Sequence, residues 1–224
     1  HRIVALHHEH LRGGQLLHQR IAFHVIPMGM AAQQNLHVGE LEAQLLDLLI
    51  DNRWPVVTLL GRGGIGKTSL ALRVLDKIYG GERFEAVVWL SARDVDLQLT
   101  GPKPVKPNVL TPLDISKYYA RLTLSESTYR AKGFDAVKHF EKELRESSLG
   151  PTLFIFDNFE TSQAPVELYK WIVAHIDAKS SNDKHGNKIL ITTRLRDFKG
   201  DYPVEVSGMT AEEARQLIDT TAQY

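Results

Sequence analysis

The sequence predicts an α/β protein with a doubly wound, mostly parallel sheet of five strands. Short apolar runs alternate with segments whose apolar residues recur at helical spacing, which is the pattern of strands joined by crossover helices. One apolar run, residues 55–60, leads through a glycine-rich stretch directly into such a helical segment. A later run, residues 151–157, ends in an acid, which places a charged side chain at the ligand-binding edge of a parallel sheet.

The predicted elements follow in a regular order. A turn at Gly39 leads into the first helix, which has Leu41, Leu45, Leu48 and Leu49 on one face. Thr111 is the expected N-cap of the third helix, with a proline at its first position. The proline-rich residues 93–110 are expected to form a loop. The strands are expected at 55–60, 84–92, 151–160, 188–194 and 202–209, and the later helices at 67–79, 111–122, 134–147 and 165–176 and from 210 onward.

The glycine-rich stretch reads GRGGIGKT from Gly61 to Thr68 and fits the phosphate-loop pattern of a glycine, four residues and Gly-Lys-Ser/Thr. Unpaired N–H groups and the positive end of the helix dipole meet at this point and attract phosphate. We expect Lys67 to reach the β and γ phosphates and the Thr68 hydroxyl to hold Mg²⁺. The expected nucleotide-binding residues of the loop are Gly61, Gly63, Gly64, Ile65, Gly66, Lys67, Thr68 and Ser69.

Three charged residues follow the later strands at the same predicted edge. Asp157 ends a buried strand and is expected to complete the Mg²⁺ site with Thr68. Glu160 has the acidity to orient or deprotonate an attacking water, although a solvated acid in a turn is the alternative. Arg194 ends the "KILITTR" strand, where its guanidinium would suit a γ-phosphate; an ordinary surface arginine is the alternative.

Composition excludes several other classes of protein. The 27 basic residues balance 27 acidic ones, so bulk charge does not indicate nucleic-acid binding. Cysteine is absent, which excludes a disulfide framework and agrees with a reducing, cytoplasmic compartment. No apolar run approaches the ~20 residues of a membrane span. Residues 1–34 hold the histidine-rich "HHEH" stretch and are expected to be an extension or linker from an upstream domain, leaving 35–224 as the nucleotide-binding domain of a longer protein.

These motifs together resemble the STAND class of P-loop NTPases, the signal-transduction ATPases that include NB-ARC and NACHT proteins. The segments "LLGRGGIGKTSLA", "LFIFDNFE" and "ILITTR" resemble the Walker A, Walker B and sensor 1 motifs of that class. "LHVGE" resembles its Val-Gly-Arg motif, with Glu40 in the place of arginine, and this implies that Val38 and Gly39 flank the adenine. Asn158 stands where many NB-ARC proteins have a second acid, which leaves Glu160 as the candidate base.

The resemblance implies an ASCE-type ATPase that binds ATP or ADP with Mg²⁺. It also implies a switch module of a regulatory or defence protein, in which nucleotide exchange controls homo-oligomerisation and slow hydrolysis resets the switch. Two alternatives stay open. A motor ATPase of the AAA+ or RecA type would turn over continuously, and a scaffold with a degenerate site would bind no nucleotide.

Overall fold

The structure is a computed structural model that describes residues 36–78, 81–92, 95–98, 101–104, 111–146, 148, 150–176, 186–196 and 201–208. The side chains at 36–38, 95–98 and 101–104 are outside this description. The histidine-rich start and the helix predicted from residue 210 also lie outside the described residues.

Strands and helices alternate through most of the described chain, as predicted. The helices are α1 (Leu36–Ile50), α2 (Lys67–Ile78), α3 (Pro112–Thr123), α4 (Glu126–Tyr129), α5 (Ala136–Glu146) and α6 (Pro165–His175). The strands are β1 (Val56–Leu60), β2 (Ala86–Ser91), β3 (Val95–Gln98), β4 (Gly101–Pro104), β5 (Thr152–Asp157), β6 (Lys188–Thr193) and β7 (Tyr202–Glu205), and a 3-10 turn, Phe159–Thr161, follows β5.

Five of the strands form one parallel sheet in the order β2-β5-β6-β1-β7. This confirms the predicted fold class. The chain leaves β1 for the far edge of the sheet at β2, and it returns through β5 to β6, which lies between β1 and β5. The carboxyl ends of β1, β6 and β5 are therefore neighbours, and a doubly wound sheet binds its ligands at such an edge.

Each face of the sheet carries its own apolar cluster because successive side chains of a strand point to opposite faces. On β5, Leu153 and Ile155 pack with α1 and α2, whereas Phe154 and Phe156 pack with α3, α5 and α6. All six residues of β5 are buried, as expected for a parallel strand covered by helices on both faces. The strand that ends at Asp157 is thus held firmly from both sides.

Two local predictions were wrong. Gly39 lies inside α1 rather than in a turn before it, because the amphipathic helix extends to Leu36. The predicted loop at 93–110 contains an antiparallel hairpin, in which β3 pairs with β4. Both prolines in β4 are tolerated because this hairpin is a separate ribbon of two strands, where a missing N–H donor removes few ladder hydrogen bonds. The predicted Thr111 cap is confirmed: the Thr111 side chain accepts from the backbone N–H of Asp114.

Helix α1 packs on the sheet through the predicted leucine face and is joined to α2 by charge. Leu45, Leu48 and Leu49 are buried. Glu42, on the same helix, is also buried, and it forms ion pairs with Arg73 and Lys77 of α2. The two basic residues of α2 balance the charge of this acid, which holds α1 against the helix that follows the phosphate loop.

A buried lysine closes the opposite edge of the sheet. The side chain of Lys188, at the start of β6, is 1% exposed, and its ammonium donates to the backbone carbonyls of Asp51 and Trp54, just after α1. Burial lowers the pKa of Lys188 from its ordinary value of 10.5 to about 8; Arg83 lowers it further, while Asp51 and Asp201 act in the opposite direction. Between these two values the unfolded chain binds more protons than the folded chain, so stability rises with pH in that window.

We therefore expect the Lys188→Met variant to lose a pH dependence of stability. Between pH 8 and pH 10, the free energy of unfolding should rise by about 2 kcal/mol more in the unmodified chain than in the variant. Urea unfolding of both proteins at several pH values measures this difference, in which the other titrating groups cancel. Lys142→Met, at an exposed lysine of α5, should show no such gain. A constant difference between Lys188→Met and the unmodified chain would contradict the prediction.

Candidate nucleotide-binding site

The glycine-rich loop joins the end of β1 to the start of α2 at the ligand-binding edge of the sheet. Gly64 and Gly66 have φ values of 74° and 99°, a left-handed conformation that side chains with a Cβ rarely adopt. Such a backbone turns successive N–H groups towards a common centre, which is the geometry that binds a phosphate. The N-terminus of α2 adds its positive dipole end at Lys67.

The ammonium of Lys67 lies inside the loop that it would serve. Its Nζ donates to the carbonyl oxygens of Gly61, at 2.8 Å, and Arg62, at 2.9 Å. Burial lowers the pKa of Lys67, with Arg194 acting in the same direction and the carboxylates of Glu160 and Asp157 opposing them. The two acids and the arginine are thus close enough to Lys67 to act on its charge. A phosphate that accepted from Lys67 would replace the two carbonyls with a charged acceptor, which is a stronger hydrogen bond.

Asp157 ends β5 beside the start of α2 and is 4% exposed. Its Oδ1 accepts hydrogen bonds from the hydroxyls of Thr68, at 2.8 Å, and Thr192, at 2.7 Å. The hydroxyl of Ser91 lies 3.5 Å from Oδ2. Asp157 therefore connects the phosphate loop with three strands of the sheet.

The Thr68 hydroxyl and the Asp157 carboxylate fit a magnesium ion. Both are hard oxygen donors, they are neighbours, and Mg²⁺ in nucleotide sites is held by one or two such groups together with the phosphates. When bound, Mg²⁺ neutralises charge on the phosphate oxygens. Thr68 and Asp157 would hold it.

Glu160 and Arg194 meet at the mouth of the loop. Arg194 Nε lies 2.8 Å from Glu160 Oε1, and the backbone N–H of Arg194 donates to Glu160 Oε2 over 3.2 Å. The Nε contact is an ion pair without hydrogen-bond alignment. The guanidinium also covers Gly63, where an added Cβ would lie 3.0 Å from Arg194 Cζ. Both predicted residues are therefore next to the phosphate loop, in contact with each other.

An unusual backbone conformation places Glu160. Asn158 has a φ of 55°, and it is the one described residue other than glycine with a positive φ. Asparagine tolerates this region better than most residues. The turn at Asn158 sends the chain into the 3-10 turn, which brings the Glu160 side chain back towards β6. Backbone strain of this kind is concentrated at functional sites.

The predicted adenine contacts lie at the start of α1. Val38 and Gly39 are in the first turn of α1, and Gly39 is exposed. Ile65 is partly buried and packs against the apolar cluster that contains residues of α1 and α2, and Ser69 lies within α2. The structure therefore brings the loop, Asp157, Glu160 and Arg194 together, and it leaves the adenine side of the site as a proposal.

Thr192 is a site residue that the sequence analysis missed. Its hydroxyl donates to Asp157 Oδ1 and accepts from the backbone N–H of Asn158, at 3.0 Å, so it holds both residues at the end of β5. Its place inside "ILITTR" resembled ordinary strand sequence. A small polar residue at the carboxyl end of a buried strand is the signal that could have found it.

We expect Thr192→Val to destabilise the protein by about 1–3 kcal/mol, because the N–H of Asn158 loses its acceptor and Asp157 Oδ1 loses one of its two donors while the side-chain shape is kept. Chemical denaturation measures this loss. Thr58→Val on the neighbouring strand β1 is the matched control: Thr58 is fully buried, and its hydroxyl has no hydrogen-bond partner among the described residues. That variant should be neutral or slightly stabilising. Equal losses in the two variants would contradict the assignment.

Comparison with known proteins agrees with the fold of the sheet and its helices. The NB-ARC domain family matches residues 35–99, which include the phosphate loop but end before Asp157. Cdc6p from Pyrobaculum aerophilum superposes with a TM-score of 0.57 at 16% identity, over 90% of this chain and 52% of that protein. No curated protein sequence matches the chain significantly.

Two further solved structures have the same fold. The ADP form of ORC2 from Aeropyrum pernix gives a TM-score of 0.56 at 17% identity, over 87% of this chain and 54% of that protein. ORC1 from Aeropyrum pernix, solved in complex with DNA, gives 0.55 at 15% identity, over 84% of this chain and 49% of that protein.

The chain has the fold of the P-loop ATPases. This confirms the predicted fold class. The chain spans about half the length of the solved proteins that it resembles. Within the part of the chain that the structure describes, no helix has the length and apolar character needed to cross a membrane.

Proposed function

We propose that this P-loop domain is the adenine-nucleotide switch of a STAND-type regulatory or defence protein in the cytoplasm. In this proposal nucleotide exchange controls homo-oligomerisation, and slow hydrolysis of ATP resets the switch. The observation that carries the proposal is the contact between Thr68 and Asp157, since it joins the phosphate loop to the strand-end acid as an Mg²⁺-nucleotide site requires. The NB-ARC match over residues 35–99 supports the choice of a switch module.

Each group has a defined part in this function. The loop and Lys67 bind the phosphates, Thr68 and Asp157 hold Mg²⁺, and Glu160 orients the attacking water and accepts its proton. Arg194 contacts the γ-phosphate. Val38 and Gly39, at the start of the domain spanning 35–224, flank the adenine, and residues 1–34 connect this domain to an upstream one.

Slow turnover follows from the same arrangement. An arginine supplied from another subunit or domain raises the rate by a factor of roughly 10³ to 10⁵ in enzymes of this kind. Arg194 lies next to the loop on the same subunit as Glu160, in the place of a sensor rather than of an arginine supplied by a second subunit. The isolated chain should therefore hold nucleotide for many minutes without consuming it, as a switch does.

A second candidate function is an ATPase that acts on DNA. It is favoured by the solved structures of similar fold, which include Cdc6p and an ORC1 protein in complex with DNA. The balance of 27 basic against 27 acidic residues does not favour it, because a DNA-binding surface needs an excess of positive charge. Turnover stimulated by DNA would separate this candidate from the switch.

The nucleotide that accompanies the purified protein tests the proposal. Heat-released nucleotide, separated by ion-exchange chromatography, should be ADP or ATP in near-stoichiometric amount. Light scattering of the protein loaded with ADP or with AMP-PNP should then show different oligomeric states. A guanine nucleotide would overturn the assigned base, and the absence of any nucleotide binding would support a scaffold. Turnover that rises on adding duplex DNA would favour the second candidate.

A further inference from the structure

Arg194 makes three contacts next to the phosphate loop. Its Nε faces Glu160 Oε1 at 2.8 Å, its backbone N–H donates to Glu160 Oε2, and its guanidinium rests on Gly63. Glu160 is the more enclosed partner, with 11% of its side chain exposed against 59% for Arg194. Arg194 is therefore the partner that can move away from the pair, because most of its side chain is already in contact with water.

The position of Glu160 is fixed by the backbone rather than by the arginine alone. The positive φ at Asn158 and the hydrogen bond from its N–H to Thr192 set the direction of the turn that carries Glu160. In the contact with Arg194, both carboxylate oxygens face the arginine. A carboxylate that is paired in this way is poorly placed to accept a proton from water, because one of its oxygens faces a guanidinium and the other accepts from a backbone N–H.

We propose that Glu160 and Arg194 form a latch that the γ-phosphate opens, an inference that rests on the proposed ATP-dependent function. A triphosphate bound at the loop places a strong anion next to the guanidinium at Gly63, and Arg194 exchanges Glu160 for the phosphate. A diphosphate offers no such anion, and the pair stays closed. Glu160 thus becomes free only while its substrate is present.

The released carboxylate then has a defined reaction. The oxygen of a water molecule forms a bond to the γ-phosphorus, and Glu160 accepts a proton from that water. The bond between the γ-phosphorus and the β–γ bridging oxygen breaks, and its electron pair remains on ADP. When phosphate departs, Glu160 releases the proton to solvent, Arg194 returns to the carboxylate and the latch closes. The same pair thereby couples the identity of the nucleotide to the availability of the base.

The ratio of two affinities tests the latch. Calorimetry gives the dissociation constants for ADP and for AMP-PNP, both with Mg²⁺, on the same sample of the chain. In Glu160→Gln, Arg194 can reach the γ-phosphate without first breaking an ion pair with a carboxylate. The preference for AMP-PNP over ADP should therefore rise about two- to fivefold, which corresponds to the interaction energy of a partly exposed ion pair. Because the ratio compares two ligands on one sample, a partly inactive preparation does not alter it.

A second background separates release of the arginine from simple loss of a negative charge. In Arg194→Gln, the further change Glu160→Gln should leave the ratio unchanged. An equal rise in both backgrounds would overturn the latch, since Glu160 would then act on the phosphate through charge alone. No rise in either background would also overturn it. Arg196→Gln, at an exposed arginine two residues further along, is the matched control and should keep the ratio of the unmodified chain.

The outcomes also distinguish the latch from the function on which it rests. If the unmodified chain binds neither nucleotide, the proposed function and the latch both fail. If both nucleotides bind in a Lys67-dependent way and the ratio does not respond to Glu160→Gln, the proposed function stands and the latch alone is wrong.

Discussion

Replacement of Lys67 by alanine should lower the affinity of the chain for ADP and ATP on the order of 100-fold, the effect of losing one or two hydrogen bonds from a charged donor. The ammonium already lies in the loop, where it donates to the carbonyls of Gly61 and Arg62, so the folded chain holds it in place before any ligand arrives. A phosphate exchanges these neutral acceptors for a charged one. Isothermal titration calorimetry with Mg²⁺ measures the loss.

The same helix provides a control. Lys77 lies near the end of α2, and its Nζ pairs with Glu42 of α1 at 2.7 Å, far along the helix from the loop. Lys77→Ala should keep the nucleotide affinity of the unmodified chain, although it removes a positive charge of the same kind. Equal affinities in Lys67→Ala and the unmodified chain would show that the loop does not bind phosphate.

Sequence patterns predicted the part of the fold in which local signals and packing agree. The run before Asp157 is apolar at every position, and the structure buries all six residues of β5. The Thr111 cap and Pro112 were equally clear because N-caps depend on neighbouring residues only. The phosphate loop belongs to this group, since its strand, glycines and helix are continuous in the chain.

The errors arose where a local signal was weaker than its surroundings. Gly39 disfavours a helix by about 1 kcal/mol relative to alanine, and this predicted a turn. In the structure the leucine face of α1 packs on the sheet, and burial of Leu45, Leu48 and Leu49 contributes more than that local preference. The hairpin at 95–104 was missed because the prolines of "GPKPVKP" indicate loop structure.

The contacts within the candidate site could not be predicted because they join residues that are distant in sequence. Thr68 and Asp157 are 89 residues apart, and Asn158 and Thr192 are 34 apart. Only the strand order, with β6 between β1 and β5, brings them together. The sequence indicated which residues carry charge at strand ends, but the pairing of Glu160 with Arg194 required the left-handed turn at Asn158, which no local pattern indicates.

Asp157 and Glu160 should separate into a metal role and a water role. Asp157→Asn keeps an oxygen acceptor for the hydroxyls of Thr68 and Thr192 but removes the charge that Mg²⁺ requires. The variant should fold, and Mg²⁺ should raise its affinity for AMP-PNP only slightly. In the presence of Mg²⁺, this affinity should be about tenfold or more below that of the unmodified chain. Calorimetry with and without Mg²⁺ measures this. An unchanged Mg²⁺ dependence would remove Asp157 from the metal site.

Glu160→Gln should have the opposite profile, with Mg²⁺-dependent binding kept and hydrolysis slowed by roughly 10² to 10⁴. The amide has nearly the shape of the carboxylate but cannot take a proton from water, and the residue does not contact Thr68 in the way that Asp157 does. Single-turnover hydrolysis of ATP measures the rate, and the variant should retain ATP in the site after the unmodified chain has converted it to ADP. Asn158 has no basicity to substitute for the lost carboxylate. If Glu160→Gln hydrolyses ATP at the rate of the unmodified chain, the proton acceptor lies on another segment, and the switch is reset by nucleotide exchange rather than through Glu160.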